Sequence, residues 1–142
     1  MQISGVLRHK GADVLTIAPT ESVRTLLDRL RDGGVGALVV STDGRTVEGI
    51  VSERDVVRRL STDGDGVLDI EVSQIMTADV HTCSPSATVD DLMAVMTEQR
   101  IRHVPVLEDG VLVGIVSIGD VVKQRMSELQ SERDQLEAYI SR

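Results

Sequence analysis

The amino-acid sequence contains two copies of one structural unit, and this internal repeat constrains the fold more than any other feature. The segment ADVLTIAP at residues 12–19 matches ADVHTCSP at residues 78–85, which lie 66 positions further along the chain. After a one-residue gap in a turn, GIVS at residues 49–52 matches GIVS at residues 114–117. Two copies are too few for a solenoid, so we expect the two units to pack against each other.

Each unit is predicted to fold as strand, helix, strand, strand, helix. A short apolar strand ends before a proline, and a helix begins after Ser22 in the first unit and after Thr88 in the second. Two β-branched runs around Asp-Gly predict a hairpin, and a second helix follows from Glu53 or Ile118. The predicted strands are 14–17, 37–41 and 47–51 in the first unit, and 80–83, 103–107 and 111–116 in the second.

This pattern predicts an α/β (α+β) fold with an approximate internal twofold axis. The hairpin strands are rich in Val and Ile without strict polar alternation, which is typical of a sheet covered on both faces. A unit of this size buries little surface and is expected to be only marginally stable alone. We place the first unit at residues 3–61, a polar, Gly-rich linker at 62–71, the second unit at 72–126 and a C-terminal helix extension at 127–142.

The C-terminal helix carries an apolar stripe with heptad-like spacing. Its members are Val122, Met126, Leu129, Leu136 and Ile140. In one arrangement the helix packs back on the sheet of its own chain. In the other it pairs with the same helix of a second chain in a homodimer, which we favour because so few heptads are marginal without other contacts.

Composition argues against several classes of function. The chain has 23 acidic and 15 basic residues, a formal net charge of −8, no Phe or Trp and one Tyr, so nucleic-acid binding is not expected. Cys83 is the single cysteine, and His9, His81 and His103 lack partners at metal-ligand spacing, so neither a disulfide nor a metal site is expected. No catalytic motif is visible. Without a signal peptide or a membrane-spanning run, the expected location is cytoplasmic, with no membrane attachment.

The motif Ser-x-x-Asp occurs at the same strand-to-helix junction in both units, as Ser52 with Asp55 and as Ser117 with Asp120. One interpretation is structural, since a serine N-cap and an acid at the third helical position form a capping box. The other interpretation is ligand binding. The N–H groups of a helix start and a serine hydroxyl suit a phosphate, while an aspartate accepts from both hydroxyls of a ribose.

The two units differ where charge matters for such a ligand. The first unit has Arg54 within its motif, where the second has Gly119. The second has RIRH at residues 100–103, where the first has GVGA at residues 34–37. Because a phosphate needs local cations in an acidic chain, we expect Arg54 and His103 to reach it and the two sites to be unequal.

A family resemblance rests on these same motifs. The segments GIVSERD at 49–55 and GIVSIGD at 114–120 fit the Gly, apolar, apolar, Ser/Thr, two variable residues, Asp signature of the cystathionine-β-synthase (CBS) domain. The segments IMT at 75–77 and RHVPV at 102–106 are also typical of that family. Over about residues 3–126, the chain therefore resembles a stand-alone tandem CBS domain pair.

The resemblance implies a non-catalytic regulatory module. Clefts between the paired CBS units bind adenosine-containing ligands such as AMP, ADP, ATP, NAD(H) or S-adenosylmethionine, and many members form homodimers. The output is then expected to go to a separate, unknown effector protein. The alternative is a structural dimerisation module with unoccupied clefts, in which the Ser-x-x-Asp motifs serve as caps alone.

The resemblance also implies that the adenine lies between the first and the middle strand of a unit. The implied contacts would read the base through backbone groups more than through side chains. They are Thr16, Ile17 and Ala37 in the first unit, and Thr82, Cys83, Val104 and Pro105 in the second.

Overall fold

In a computed structural model, the chain forms two β-α-β-β-α units, as the sequence pattern predicts. The structure describes residues 1–11 and 13–141, so Ala12 of the predicted first unit and Arg142 of the predicted C-terminal extension lie outside the described residues. The helices are α1 (Ile3–Lys10), α2 (Val23–Gly33), α3 (Glu53–Asp63), α4 (Val89–Gln99) and α5 (Ile118–Ile140). The strands are β1 (Thr16–Ile17), β2 (Ala37–Val40), β3 (Gly49–Ser52), β4 (His103–Glu108) and β5 (Val111–Ser117).

Each unit builds a small sheet around an antiparallel hairpin. In the first unit β2 pairs with β3, and β1 lies parallel to β2 on its other side. In the second unit β4 pairs with β5. The strand predicted at 80–83 is reduced to one parallel bridge between Cys83 and Val106. Val80 and His81, which belong to that predicted strand, line a cleft at the start of α3.

The predicted helix starts are confirmed by their hydrogen bonds. The Ser22 hydroxyl accepts from the Thr25 N–H at 3.1 Å, and the Thr88 hydroxyl accepts from the Asp91 N–H at 3.1 Å. These caps satisfy N–H groups that have no partner within the helix. They fix where α2 and α4 begin, and so which apolar side chains face the core.

The segment that precedes each unit packs into the core of the other unit. Helix α1 places Ile3, Val6 and Leu7 in one cluster with residues of α4, β4 and β5. Its backbone is joined to the second unit by the hydrogen bond from the Ile3 N–H to the Ala87 carbonyl, at 2.8 Å. This exchange was not predicted, since the sequence assigned α1 to the first unit.

In the same way, the segment that precedes the second unit packs into the core of the first unit. Val67 and Val72 are fully buried there, against residues of α2 and β3. Residues 62–71, predicted as a linker, contain the end of α3 at Asp63 and a short 3-10 helix at Gly64–Asp69. Most of this stretch is exposed, but Val67 is buried in the first core and Leu68 packs against it, and their burial stabilises the segment.

Two matched glycines allow the exchanged segments to approach the sheets closely. A Cβ atom on Gly49 would lie 2.7 Å from the Met76 sulfur and 2.9 Å from the Thr77 carbonyl oxygen. A Cβ atom on Gly114 would lie 2.6 Å from a methyl group of Leu7. The glycine before each Ser-x-x-Asp motif therefore makes room for the chain itself.

The C-terminal half of α5 extends away from the rest of the chain. Val121 is buried near the start of the helix, but residues 129–141 are all exposed. Leu136 is 63% exposed and Ile140 is 80% exposed, so this part of the stripe does not pack on the chain's own sheet. Within the described residues, no helix combines the length and the apolar character that a membrane span requires.

Gly49→Ala is expected to lower the free energy of unfolding by about 1–3 kcal/mol, since the added methyl group overlaps a backbone carbonyl that cannot swing aside. Gly66→Ala is the matched control, because no atom lies within 4 Å of its Cβ position. Urea denaturation of both variants measures the difference. Equal midpoints for the two variants would contradict the close approach of residues 76–77 to β3.

Candidate functional site

A cleft of about 240 Å³ opens where the first turn of α3 faces the second unit. We call it the interunit cleft, because both units contribute to its walls. One wall comprises Gly36, Ala37, Ile50, Ser52, Glu53, Arg54, Asp55 and Arg58. The other comprises Thr77, Asp79, Val80, His81, Arg100, Ile101, Arg102 and His103.

Five of the predicted site residues line the interunit cleft. They are Ala37, Ser52, Arg54, Asp55 and His103. Four come from the first unit, whereas His103 comes from the second. The cleft therefore brings together the carboxylate proposed for a ribose and the two side chains proposed for a phosphate.

The other predicted contacts lie elsewhere. They are Thr16, Ile17, Thr82, Cys83, Val104, Pro105, Ser117 and Asp120, none of which lines the interunit cleft. Ile17 and Val104 are each 1% exposed and belong to the two cores. The first and middle strands of a unit are joined by backbone hydrogen bonds, such as that from the Cys83 N–H to the Pro105 carbonyl at 3.1 Å. The open space lies instead between β3 and residues 77–81 of the exchanged segment.

Asp55 is held at the start of α3 with one oxygen unused. Its Oδ2 accepts from the Ser52 N–H at 2.8 Å and from the Ser52 hydroxyl at 3.2 Å. Its Oδ1 accepts no hydrogen bond from the described residues, and the side chain is half-buried. One oxygen of Asp55 thus caps the helix while the other can accept a hydrogen bond from a ligand. The capping role and the ligand-binding role of the motif are therefore compatible.

Asp120, at the equivalent position of the second unit, is paired with a lysine. Its Oδ2 accepts from the Ser117 N–H at 2.9 Å and from Lys10 Nζ at 2.6 Å. Lys10 Nζ also donates to the Ile115 carbonyl at 2.9 Å. Burial by itself would raise the pKa of Asp120, but the hydrogen bonds from Lys10 and Ser117 outweigh it and hold this pKa below 3.8.

Lys10 was not predicted as a site residue, although comparison of the two repeats shows that it is unusual. In the repeat register Lys10 aligns with Met76, so a charge replaces an apolar side chain at one point of two matched segments. Its role could not be read from that difference, because the exchange of α1 into the second unit was not predicted. The same exchange explains why residues 77–81 were missed as part of the cleft wall.

Four arginines supply positive charge to the interunit cleft. Arg54 and Arg58 lie one helical turn apart on α3, and Arg100 and Arg102 lie on the facing wall. None of the four has a carboxylate of the described residues within 4.0 Å. They are therefore available to an anionic ligand.

His103 contributes a neutral ring at pH 7. Burial lowers its pKa below 6.5, and the positive charge of Lys10 lowers it further against the opposing effect of Asp120. The cations of this cleft at neutral pH are therefore the arginines, and His103 can donate one N–H.

Cys83 packs against the second core, and its thiol has low nucleophilic reactivity. Burial raises the pKa of its thiol to about 11, so the thiolate is scarce at neutral pH. Among the residues that the structure describes, no three His, Cys, Asp or Glu side chains are grouped as a metal site would require.

Comparison with known proteins agrees with this architecture. The family model for the CBS domain matches residues 6–62 and again residues 72–127. The mitochondrial CBS domain-containing protein CBSX3 of Arabidopsis thaliana is 36% identical in an alignment of 146 positions, gaps included, which covers 97% of this chain and 71% of that protein.

Two solved structures show the same fold. A CBS-domain containing protein from Agrobacterium tumefaciens is 44% identical, with a TM-score of 0.85 over 88% of this chain and 99% of that one. A CBS domain protein from Pyrobaculum aerophilum, complexed with AMP, is 28% identical, with a TM-score of 0.75 over 84% of this chain and 89% of that one. With its two repeated motifs and two matches to one family model, this chain belongs to the CBS-domain family as a tandem CBS domain pair.

Proposed function

We propose that this chain is a non-catalytic regulatory module that binds an adenine nucleotide in the interunit cleft. The observation that carries the proposal is that one cleft holds a half-buried carboxylate, Asp55, and four arginines. Among the described residues, Asp55 Oδ1 accepts no hydrogen bond and none of the four arginines is paired with a carboxylate. A nucleoside phosphate presents the complementary groups, since its ribose hydroxyls donate and its phosphate oxygens accept charge-assisted hydrogen bonds.

Each part of the ligand has a matching part of the wall. Asp55 accepts from the ribose hydroxyls, and the arginines on the two walls bind the phosphate oxygens. The apolar side chains of Ala37, Ile50 and Val80 offer a surface for the base, where no aromatic ring is present. AMP, ADP, ATP, NAD(H) and S-adenosylmethionine all carry the adenosine that this wall would recognise.

The AMP complex of the Pyrobaculum aerophilum relative supports this assignment, because a CBS domain protein of the same fold holds an adenosine phosphate. In a regulatory module, the bound nucleotide changes the relative packing of the two units, and a separate effector protein reads that change. Such signalling requires the nucleotide to prefer one arrangement of the units over another.

Asp55→Ala is expected to abolish the stabilisation of the protein by adenine nucleotides, since it removes the acceptor for the ribose. In the unmodified protein, nucleotide at about 100 times its dissociation constant should add about 2.7 kcal/mol to the free energy of unfolding. A thermal-shift screen with AMP, ADP, ATP, NAD, NADH and S-adenosylmethionine measures this effect. Asp91→Ala is the matched control, because Asp91 caps α4 in the same way but lies outside the cleft wall.

Two outcomes of this screen would contradict the proposal. An equal shift in both variants would mean that Asp55 does not hold the ligand. No shift of the unmodified protein with any of the six compounds would favour the alternative, a structural dimerisation module whose Ser-x-x-Asp motifs are caps alone.

We also propose that the two ligand positions of the repeat are unequal, because Lys10 occupies the one at Asp120, the equivalent of Asp55 in the second unit. The ammonium of Lys10 lies on Asp120 at 2.6 Å, where a ribose would have to bind. No such cation is held by Asp55 within the described residues. The first position should therefore bind a nucleotide more tightly than the second.

Lys10→Met is expected to raise the pKa of Asp120, because burial is then opposed only by the hydrogen bonds of Ser117. Carboxyl ¹³C NMR against pH measures this change, and calorimetry should detect a second nucleotide per chain in the variant. The stabilisation that Lys10 provides is present above the unfolded pKa of Asp120 and is lost as pH falls through its lower folded pKa. Arg133→Met removes a positive charge from the exposed C-terminal half of α5, more than three turns beyond Asp120, and should change neither quantity.

We further propose that the chain forms a homodimer through exposed apolar side chains of α3 and α5. They are Val57 and Leu60 on α3, and Val122, Met126, Leu129, Leu136 and Ile140 on α5. On α5 these side chains follow the spacing of a coiled-coil seam, which requires a second helix to bury it. A second copy of the chain supplies a helix with the same stripe, so the face is self-complementary about a twofold axis.

The double substitution Leu129→Glu and Leu136→Glu is expected to convert the dimer to a monomer, since it places four carboxylates at the seam of the paired helices. Light scattering gives the mass directly. The control is Gln130→Glu with Gln135→Glu, which adds charge to the same helix outside the stripe. A monomeric unmodified protein, or a dimer that survives the leucine substitutions, would exclude this interface.

A further inference from the structure

Arg100 stands in a backbone conformation that favours glycine. Its φ is +54°, in the left-handed region, at the C-terminal end of α4. The equivalent position at the end of α2 is Gly34, with φ +63°. Side chains other than glycine, asparagine and aspartate rarely adopt this conformation because the Cβ atom is crowded by the backbone. The second unit therefore keeps an arginine at a conformational cost that the first unit avoids.

The same residue lines the interunit cleft, and its guanidinium has no carboxylate partner in the part of the chain that the structure describes. Arg54 and Arg58 on α3 and Arg102 beside it complete a set of four such cations around one cleft. Away from the cleft, Arg24 and Arg125 each bind a carboxylate at 3.2 Å, which is the usual arrangement in so acidic a chain. Strained residues that persist at a binding site point to a role in binding.

The repeat does not keep this whole set of charges. It places Gly119, Gly34 and Gly36 where the interunit cleft has Arg54, Arg100 and Arg102, and it keeps a cation, Lys123, only at the position of Arg58. Three of the four arginines are thus a property of this cleft and not of the repeated unit. A single phosphate group can engage one or two guanidinium forks, so four forks on two facing walls suit a longer anion.

We infer that Arg100, together with these arginines, makes the interunit cleft selective for an adenosine ligand with two or more linked phosphates over AMP and over S-adenosylmethionine. This inference rests on the proposed function of the cleft. Arg100 reaches the distal phosphate from the wall opposite Arg54 and Arg58, while Asp55 holds the ribose. The sulfonium of S-adenosylmethionine is cationic and is repelled by the same set of charges.

Arg100→Gly separates this role from folding. Glycine is the residue that the first unit has at this position, so the melting temperature of the variant is expected to equal or exceed that of the unmodified protein. Its dissociation constant for ATP, measured by calorimetry without magnesium, is expected to rise at least about tenfold, whereas that for AMP changes less than about threefold. Arg24→Ala, which removes a charge outside the cleft, is the control for net charge.

A second readout is the salt dependence of binding. The affinity of the unmodified protein for ATP should fall more steeply with ionic strength than its affinity for AMP, and Arg100→Gly should reduce this difference. Equal affinities of the unmodified protein for AMP and ATP, or an unchanged ATP affinity in Arg100→Gly, would overturn the selectivity while leaving the proposed function standing. Failure of every adenine nucleotide to bind would instead overturn the proposed function itself.

Discussion

Each unit of this protein depends on a segment that precedes the other unit. Ile3, Val6 and Leu7 complete the second core, and Val67 and Val72 complete the first. Neither core is filled by its own unit alone, which agrees with the marginal stability expected of domains of this size. Each unit therefore gains part of its stability from association with the other.

The same exchange determines what each cleft contains. Mutual hydrogen bonds between Thr77 and Ile50, at 2.9 Å in both directions, bring residues 77–81 beside the first turn of α3. The matching segment at the N-terminus brings Lys10 beside Asp120 instead. The same arrangement of segment and sheet therefore occurs twice with different results. In the first unit it leaves a cleft lined by arginines, and in the second unit it places Lys10 in an ion pair with Asp120.

Much of the fold followed from local physical rules that the sequence displays. The hairpins at Asp-Gly, the helix starts at Ser22 and Thr88 and the two-unit architecture depend on neighbours in the chain, and the structure has them as predicted. The exchange of segments could not be predicted in this way. Residues 3–7 and 72–76 are both short and apolar on one face, and nothing in either identifies the core that will bury it.

For the site, as for the fold, the placement of residues that are close in sequence was predicted better than that of residues from distant segments. Ser52, Asp55 and Arg54 are close in sequence, and they line one cleft. Thr16, Ile17, Cys83 and Val104 were assigned because the resemblance places the adenine between the first and the middle strand of a unit. In the structure those strands are joined by backbone pairing, of Thr16 with Val39 and of Ile17 with Val40, and the cleft forms between units. Which of the predicted residues line the cleft thus depends on how the two units pack together, which the local sequence does not show.

The position of α3 connects the proposed nucleotide binding with the proposed homodimer. Asp55 lies in the interunit cleft at the first turn, whereas Val57 and Leu60 lie on the exposed apolar face of the same helix. A ligand that bridges Asp55 on one wall and Arg100 on the other favours the arrangement in which both walls are near. Since α3 is a rigid element between the cleft and the proposed dimer face, that preference would change the free energy of pairing two chains. By linkage, pairing would change the affinity for the nucleotide by the same factor.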